Sequence, residues 1–252
     1  MLKARVIPCL LLHDGSLVKT VRFDRFAYIG DPVNTVRIFN ELEVDELIVL
    51  DILASVERRE PNYALIEQIT SECFMPLTYG GGVRGVDDAR RLLDLGIEKI
   101  AVNAATVEQA GIVEALAGRI GTQSVVASID VRVSRSGYQV VSHRGRRDIG
   151  QTAVAWAAEM QRRGAGELLV NATDRDGTWE GLDLDLIKQV STAVSVPIIA
   201  CGGANGLDDI ARGVAAGAQG IAAGSLFVYQ KQDFGVLVNY PNRSQLSAAL
   251  GA

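Results

Sequence analysis

The sequence predicts an α/β protein folded as a single (β/α)8 barrel, the TIM-barrel architecture. Three observations carry this prediction: eight apolar strand-like runs in 252 residues, helical patterns between most of them, and an internal repeat. Alternating strands and helices are typical of a parallel sheet, and eight such units in about 250 residues suit a barrel. A doubly wound open sheet is the alternative. The repeat favours the barrel, because an even repeat closes without leaving a sheet edge.

The apolar runs place the strands. They are continuously apolar instead of alternating, as expected of strands that are covered on both faces. The eight runs begin near Arg5, Glu46, Pro76, Lys99, Val125, Glu167, Pro197 and Gly220.

Two of the intervening helices have clear boundaries. The segment DDARRLLDLG (87–96) has apolar residues at helical spacing, and Gly96 is a plausible stop. The segment TAVAWAAEMQRRG (152–164) has a capping residue in Thr152 and a stop in Gly164. Both segments lie between predicted strands, as the barrel requires.

The internal repeat has an offset of 121 residues. PLTYGGGVRGVDDARRLLDLGIEKIAV from Pro76 recurs as PIIACGGANGLDDIARGVAAGAQGIAA from Pro197, and ELIV from Glu46 recurs as ELLV from Glu167. Chance rarely gives one offset to two separate segments. We therefore expect one domain over residues 1–252, built from two similar half-barrels of approximately 1–121 and 122–252.

The composition excludes several classes of function. A net charge of −5 argues against a nucleic-acid binder. Cys9, Cys73 and Cys201 are too few for a disulfide framework and predict reduced thiols in the cytoplasm. Two histidines without clustered cysteines argue against a metal site. No apolar run reaches the roughly 18 residues that cross a membrane. We expect no metal, no cofactor, and neither a nucleic-acid nor a membrane partner.

Four glycine-containing loops follow strands three, four, seven and eight, at the barrel end where active sites lie. They are GGG (80–82), VNAAT (102–106), CGG (201–203) and AAGS (222–225). Glycines leave backbone N–H groups open to an anion, and a following helix N-terminus adds favourable partial charge. Tight turns alone would explain one such pair. Two symmetric sets predict two phosphate sites on opposite sides of the barrel mouth.

Charged residues at the same end are candidates for chemistry. Asp130 ends strand five, where a buried carboxylate is costly without a partner or a task, so we favour a catalytic role over a structural ion pair. Asp51 ends strand two in a similar way. Asp174 and Asp176 follow strand six and are either catalytic or capping residues. Lys19 lies on the loop after strand one and faces either an anion or solvent.

Four further charges open strands at the opposite end. Arg5, Glu46, Lys99 and Glu167 begin strands one, two, four and six. Two cations and two anions can converge there as ion pairs across the barrel axis. On the residues alone, a plug that closes the barrel floor is the preferred interpretation, since buried charges need partners.

These segments together resemble the cyclase subunit of imidazole glycerol phosphate synthase, over essentially the whole chain. Any one motif is weak, and their order and spacing make the resemblance specific. The motifs are IPC (7–9), GDPV (30–33), DEL (45–47), LDI (50–52), GGGV (80–83), GTQS (121–124), GAGE (164–167), DRDGT (174–178) and ACGGA (200–204).

The resemblance implies a duplicated half-barrel with two phosphate sites for a phosphorylated small molecule, and a glutaminase docked on the barrel bottom. It implies that ammonia passes a charged gate, which reverses the preference for a plug, and then travels along the barrel axis. The implied gate residues are Arg5, Glu46, Lys99 and Glu167. The implied phosphate-binding residues are Gly82, Asn103, Asp176, Gly177, Gly203, Gly224 and Ser225. The implied catalytic residues still present are Asp130 and Lys19.

One catalytic position departs from that family. The family reads C-L-D-V where this chain reads CLLL, so Leu11 replaces the strand-one carboxylate. Losing one general acid–base group typically costs about 10²–10⁴-fold in rate. Ala104 replaces a phosphate-site threonine, and Asn171 lies in LVNA where the family has LLTS. With CLLL, ACGGA, AAGSLFV and NYPN, the chain resembles the cyclase-like paralogues of surface-polysaccharide (O-antigen) clusters.

Three functions follow from the resemblance. The first is an ammonia-conducting subunit of a glutamine-dependent amidotransferase system, which serves sugar amidination together with a third amidotransferase- or ligase-like protein. The second is a working cyclase, a lyase of histidine biosynthesis. The third is a non-catalytic activator of the glutaminase. Whether the chain is itself an enzyme stays open at this point.

Overall fold

The computed structural model describes residues 4–231 and 235–251. Its strands are β1 (Arg5–His13), β2 (Ser16–Val21), β3 (Asp24–Gly30), β4 (Leu47–Asp51), β5 (Leu77–Gly80), β6 (Lys99–Val102), β7 (Val125–Ser134), β8 (Gly137–Ser142), β9 (Arg147–Thr152), β10 (Glu167–Ala172), β11 (Ile198–Cys201) and β12 (Gly220–Ala223). Its α-helices are α1 (Pro32–Glu41), α2 (Tyr63–Ser71), α3 (Val86–Asp94), α4 (Ala104–Glu108), α5 (Ile112–Ile120), α6 (Ala153–Arg162), α7 (Leu184–Ala193), α8 (Leu207–Ala215), α9 (Ser225–Val228) and α10 (Arg243–Leu250).

Eight parallel strands close into a barrel, which confirms the predicted fold class. The order around the barrel is β1, β4, β5, β6, β7, β10, β11 and β12, and β12 pairs with β1 to complete the ring. Each predicted strand start lies within one residue of the observed one. The runs were readable because both faces of each strand are buried.

The two helices with predicted boundaries form as expected. α6 begins after Thr152, whose hydroxyl accepts the N–H of Ala155 at 3.2 Å. α3 buries Ala89 and Leu92 against the sheet, and Gly96 follows its end with a φ of 98°. A left-handed residue just past the last turn is a common helix stop, and glycine adopts it without strain.

Four strands were missed by the sequence analysis. β1 and β7 continue beyond the barrel and turn back as antiparallel hairpins, β2–β3 and β8–β9. Two predictions are therefore wrong: Lys19 lies in β2 and not on a loop, and Asp130 lies within β7, which runs on to Ser134. The turn between β1 and β2 had a sequence signal, because an Asp-Gly pair favours a tight hairpin turn, and Asp14 and Gly15 both have positive φ in the structure.

The repeat is visible in the elements. α3 begins at Val86 and α8 at Leu207, 121 residues later, and β2 and β8 begin at Ser16 and Gly137 with the same separation. We propose that the barrel is divided into half-barrels near residues 121 and 122.

Alternation along each strand separates two apolar clusters. On β1, Val6, Leu10 and Leu12 pack outward beneath the helices, whereas Ile7 and Leu11 point into the barrel. The buried residues of the inner cluster are Ile7, Cys9, Leu11, Val18, Ile48, Ala101, Val126, Leu169, Ile199 and Ala222. The barrel interior between its two ends is therefore lined mainly by apolar side chains.

Three further features concern the described part of the chain. None of its helices has the length and apolar character of a membrane span. Across residues 4–231 and 235–251, no group of three or more His, Cys, Asp and Glu side chains is arranged to hold a metal ion. Cys9, Cys73 and Cys201 are free thiols.

Candidate functional site

One pocket at the carboxyl ends of the barrel strands gathers most of the predicted site residues. Asp130, Lys19 and Leu11 all line it. All seven predicted phosphate-binding residues line it too, namely Gly82, Asn103, Asp176, Gly177, Gly203, Gly224 and Ser225. Barrel closure brings these separate loops together, because the parallel strands all end at the same mouth.

The second-half side of the pocket offers unpaired backbone donors. The N–H groups of Gly177 and Gly203 donate to no other described residue. A Cβ at Gly177 would lie 2.2 Å from the Thr20 carbonyl oxygen, so only glycine fits there. Ser225 is buried at the start of the short helix α9. This side can hold a small oxyanion through backbone N–H groups.

The first-half side offers fewer free donors. The Gly82 N–H donates to the Ser55 hydroxyl at 3.3 Å. The Asn103 side chain donates to Asp130, and Ala104 contributes no hydroxyl. The two sides are therefore related by the repeat and differ in their capacity for an anion.

Asp130 is held by two amide groups at the floor of the pocket. Its two carboxylate oxygens accept Asn103 Nδ2 at 2.9 Å and Asn171 Nδ2 at 3.1 Å. Burial raises the pKa of Asp130, the hydrogen bonds from Asn171 and Asn103 oppose the rise, and the negative charge of Asp176 adds a smaller increase, so that the pKa is about 6. A carboxyl with this pKa can exchange protons near neutral pH, which suits general acid–base work.

The raised pKa of Asp130 predicts a pH-dependent contribution to stability. A folded-state pKa of about 6 exceeds the ordinary value of 3.8, so the contribution is complete below about pH 4 and is lost as the pH rises through 6. The loss corresponds to about 3 kcal/mol. Relative to Asp130→Asn, the native chain should lose stability between these values. Urea unfolding from pH 4 to pH 8 measures the difference, with Asp185→Asn at an exposed position as the control; a constant difference contradicts the prediction.

Lys19 and Asp176 form a buried ion pair beside the pocket. Lys19 Nζ lies 2.9 Å from Asp176 Oδ1, and the Thr20 hydroxyl donates to Oδ2 at 2.6 Å. Burial lowers the pKa of Lys19, and the charge and hydrogen bond of Asp176 outweigh it, so the pKa is raised. Lys19 is therefore a stable cation. Both oxygens of the Asp176 carboxylate already accept hydrogen bonds, from Lys19 and Thr20. In an anion site, Asp176 would therefore act by positioning the Gly177 backbone.

Leu11 points into the barrel and lines the pocket. It is 8% exposed and belongs to the inner apolar cluster. On the adjacent strand, the Asp51 carboxylate accepts the N–H groups of Leu53 and Ala54 and lies 3.5 Å from Arg59, so it caps the following turn. Asp174 is likewise structural, because its carboxylate accepts the N–H of Val133 at 2.7 Å. Neither carboxylate substitutes for the one absent at Leu11.

The opposite end of the barrel carries a closed ring of four charges. Lys99 Nζ lies 2.9 Å from both Glu46 Oε1 and Glu167 Oε2, and Arg5 donates to both glutamates. Burial lowers the pKa of Arg5, and the hydrogen bonds and charges of Glu167 and Glu46 raise it above its ordinary value. Charges alternate around the ring and sum to zero. We call these four residues the ion ring.

The sequence analysis did not predict four residues that line the pocket mouth: Phe23, His143, Arg144 and Trp179. All four have left-handed backbone, with φ between 53° and 63°. Such φ values are uncommon outside glycine and cannot be read from residue type. The run HRGRR (143–147) signals an exposed turn, and only the hairpin geometry brings it over the pocket.

Comparison with known proteins defines the class to which this fold and pocket belong. The family model described as "Histidine biosynthesis protein" matches residues 5–233, and the chain belongs to that family. Within it, the chain is 45% identical over 248 residues to the "Putative imidazole glycerol phosphate synthase subunit hisF2" of Pseudomonas aeruginosa, covering 98% of this chain and 99% of that protein.

Two further relatives agree. The chain is 46% identical over 252 residues to the "Putative imidazole glycerol phosphate synthase subunit HisF" of Leptospira borgpetersenii, with 98% and 99% covered. It is 45% identical over 253 residues to subunit hisF3 of Vibrio vulnificus, named in the same way, with 99% and 97% covered. The predicted resemblance to the cyclase subunit of this synthase is confirmed.

Proposed function

We propose that the chain conducts ammonia from a glutaminase partner, bound at the ion ring, through the barrel to the pocket at the other end. The observation that carries the proposal is the inner apolar cluster, which joins the two ends. Neutral ammonia tolerates such a lining, whereas an ammonium ion would lose its hydration without compensation. The relatives are named as subunits, which supports a partner.

The ion ring is the proposed gate. Glu46 and Glu167 are buried within it, while Arg5 and Lys99 are partly exposed, so the cations form its outer surface. If one cation is displaced, the barrel axis opens. The other cation still contacts Glu46 and Glu167, so neither glutamate is left without a positive charge beside it. A docked partner can supply the acceptor that draws a cation aside.

The ion ring is present and the strand-one carboxylate is absent, which supports the proposal that the ammonia serves another acceptor. We propose a sugar acid, amidinated by a third amidotransferase-like protein during surface-polysaccharide synthesis. Gene deletion in the native host tests this. The deletion strain should grow without added histidine and lack amidino sugars in its surface polysaccharide, as measured by mass spectrometry. A histidine requirement would instead support the cyclase function.

A blocked barrel separates conduction from mere activation of the glutaminase. Ala222 is fully buried in the inner cluster, and Ala222→Leu is expected to obstruct the axis. Overpacking of this kind costs about 1–3 kcal/mol, which the melting temperature will show. The variant should keep glutaminase stimulation and fail to restore amidino sugars in the deletion strain. Ala64→Leu, on the exposed face of α2, is the matched control. Full restoration by Ala222→Leu would favour a simple activator.

The partner's docking surface is predicted at the strand-start end. Phe74 precedes β5 and is 81% exposed, and the α1 end adds Ile38 and Leu42, 40% and 38% exposed. Large exposed aromatic residues anchor interfaces. Phe74→Ala should weaken glutaminase binding about tenfold or more by calorimetry. Tyr28→Ala, 68% exposed at the opposite end, is the control. If Phe74→Ala and Tyr28→Ala change glutaminase affinity equally, the interface does not lie at the strand-start end.

A further inference from the structure

The tip of the β8–β9 hairpin crosses the pocket mouth and is tied to both sides. His143 Nε2 lies 2.8 Å from Glu108 Oε1 at the end of α4, on the first-half side. Arg144 Nη2 donates to the Phe23 carbonyl at 2.7 Å, and the Phe23 N–H lies 3.4 Å from Asp176 Oδ2 on the second-half side. The hairpin tip therefore spans the space between the two glycine-lined sides.

Arg144 is a half-buried cation whose guanidinium makes one hydrogen bond to the described residues. Within the described residues its guanidinium donates to the Phe23 carbonyl and lies 4.7 Å from the centre of the Phe26 ring, and it forms no ion pair. Burial lowers the pKa of Arg144 and the nearby Arg146 lowers it further, while the smaller effect of the negative charge of Asp24 opposes the change. A guanidinium has five N–H donors, so most of them are free. The other buried cation of the pocket, Lys19, is paired with Asp176.

The backbone holds Arg144 over the pocket at a conformational cost. Phe23, His143, Arg144 and Trp179 have φ values of 61°, 53°, 60° and 63°. Strained backbone of this kind concentrates at ligand sites and persists only where the surrounding structure maintains it. Here the surrounding contacts are those that tie the hairpin tip across the mouth.

We propose that Arg144 is a ligand-binding residue that contacts a phosphoryl group of the pocket's ligand. Gly177 and Gly203, whose N–H groups donate to no described residue, line the same pocket. A planar guanidinium matches a phosphoryl group through two parallel hydrogen bonds. This assignment goes beyond ammonia conduction and does not depend on it.

Trp179 supplies the readout, because it lines the same pocket. The chain has two tryptophans, and Trp156→Phe leaves Trp179 as the single tryptophan. In that background, inorganic pyrophosphate is titrated at about 0.15 M salt, where the Debye length is roughly 8 Å. Arg144→Gln should weaken binding about tenfold, as expected for loss of a charged hydrogen bond. Arg146→Gln removes the same charge from the exposed hairpin and should change binding less than twofold.

Arg144→Lys separates binding from support of the hairpin. A lysine keeps the charge and loses the planar fork, so it should bind pyrophosphate with an affinity between those of the native chain and Arg144→Gln. Equal affinities of Arg144→Gln and Arg146→Gln would overturn the proposal. So would equal losses in the lysine and glutamine variants accompanied by a lowered melting temperature, or no saturable fluorescence change in the native chain.

Discussion

Replacing Glu46 by glutamine is expected to destabilise the fold by about 3–5 kcal/mol, the cost of removing one partner from a buried ion pair. Glu46 is 3% exposed in its side chain and accepts hydrogen bonds from Arg5, Lys99 and Thr78. The substitution keeps the shape of the side chain and removes its charge. Two cations would then share Glu167 alone at the barrel floor, and the neutral amide would present a donor to at least one of them.

The free energy of unfolding in urea measures this effect. Glu159→Gln is the matched control, because Glu159 also accepts hydrogen bonds from two arginines, Arg162 and Arg163, at the protein surface. Solvent screens that cluster, so its loss should change stability far less. If the two variants are equally stable, the ion ring contributes no more than a surface ion pair.

The second large effect concerns catalysis. Supplied with ammonium and the bisphosphate substrate of the synthase cyclase reaction, the chain should turn over about 10²–10⁴-fold more slowly than relatives with a strand-one carboxylate. We expect Asp130 to keep an acid–base role, whereas Leu11 can neither donate nor accept a proton. Turnover at the rate of those relatives would contradict the proposed function and support histidine biosynthesis.

Leu11→Asp tests the same point in the opposite direction. It should raise turnover only in part, because Ala104 and Asn171 also depart from the family pattern. The new carboxyl would be buried among apolar side chains, which raises its pKa and reduces stability. Leu11→Asn is the control, since asparagine has the same shape as aspartate and carries no acidic proton. Equal turnover of the two variants would show that the position no longer serves acid–base chemistry.

The barrel was predictable because its signal is local. Each strand is a continuous apolar run, and the helix ends have capping residues and glycines. The charges at strand starts and strand ends could be assigned to the two barrel ends once eight strands were counted. The hairpins were missed because their outer strands, β3 and β9, consist largely of exposed residues and have a weak apolar pattern.

The sequence by itself determined the eight strands, the repeat, the charges at the barrel floor and the leucine at the strand-one position, since each depends on residue type and spacing. Only the tertiary structure decided how those charges pair and what covers the pocket. Arg5 meets Glu167 across 162 residues, and Arg144 meets Phe23 across 121. Contacts at such separations exist only after the barrel closes and the hairpins fold over its mouth.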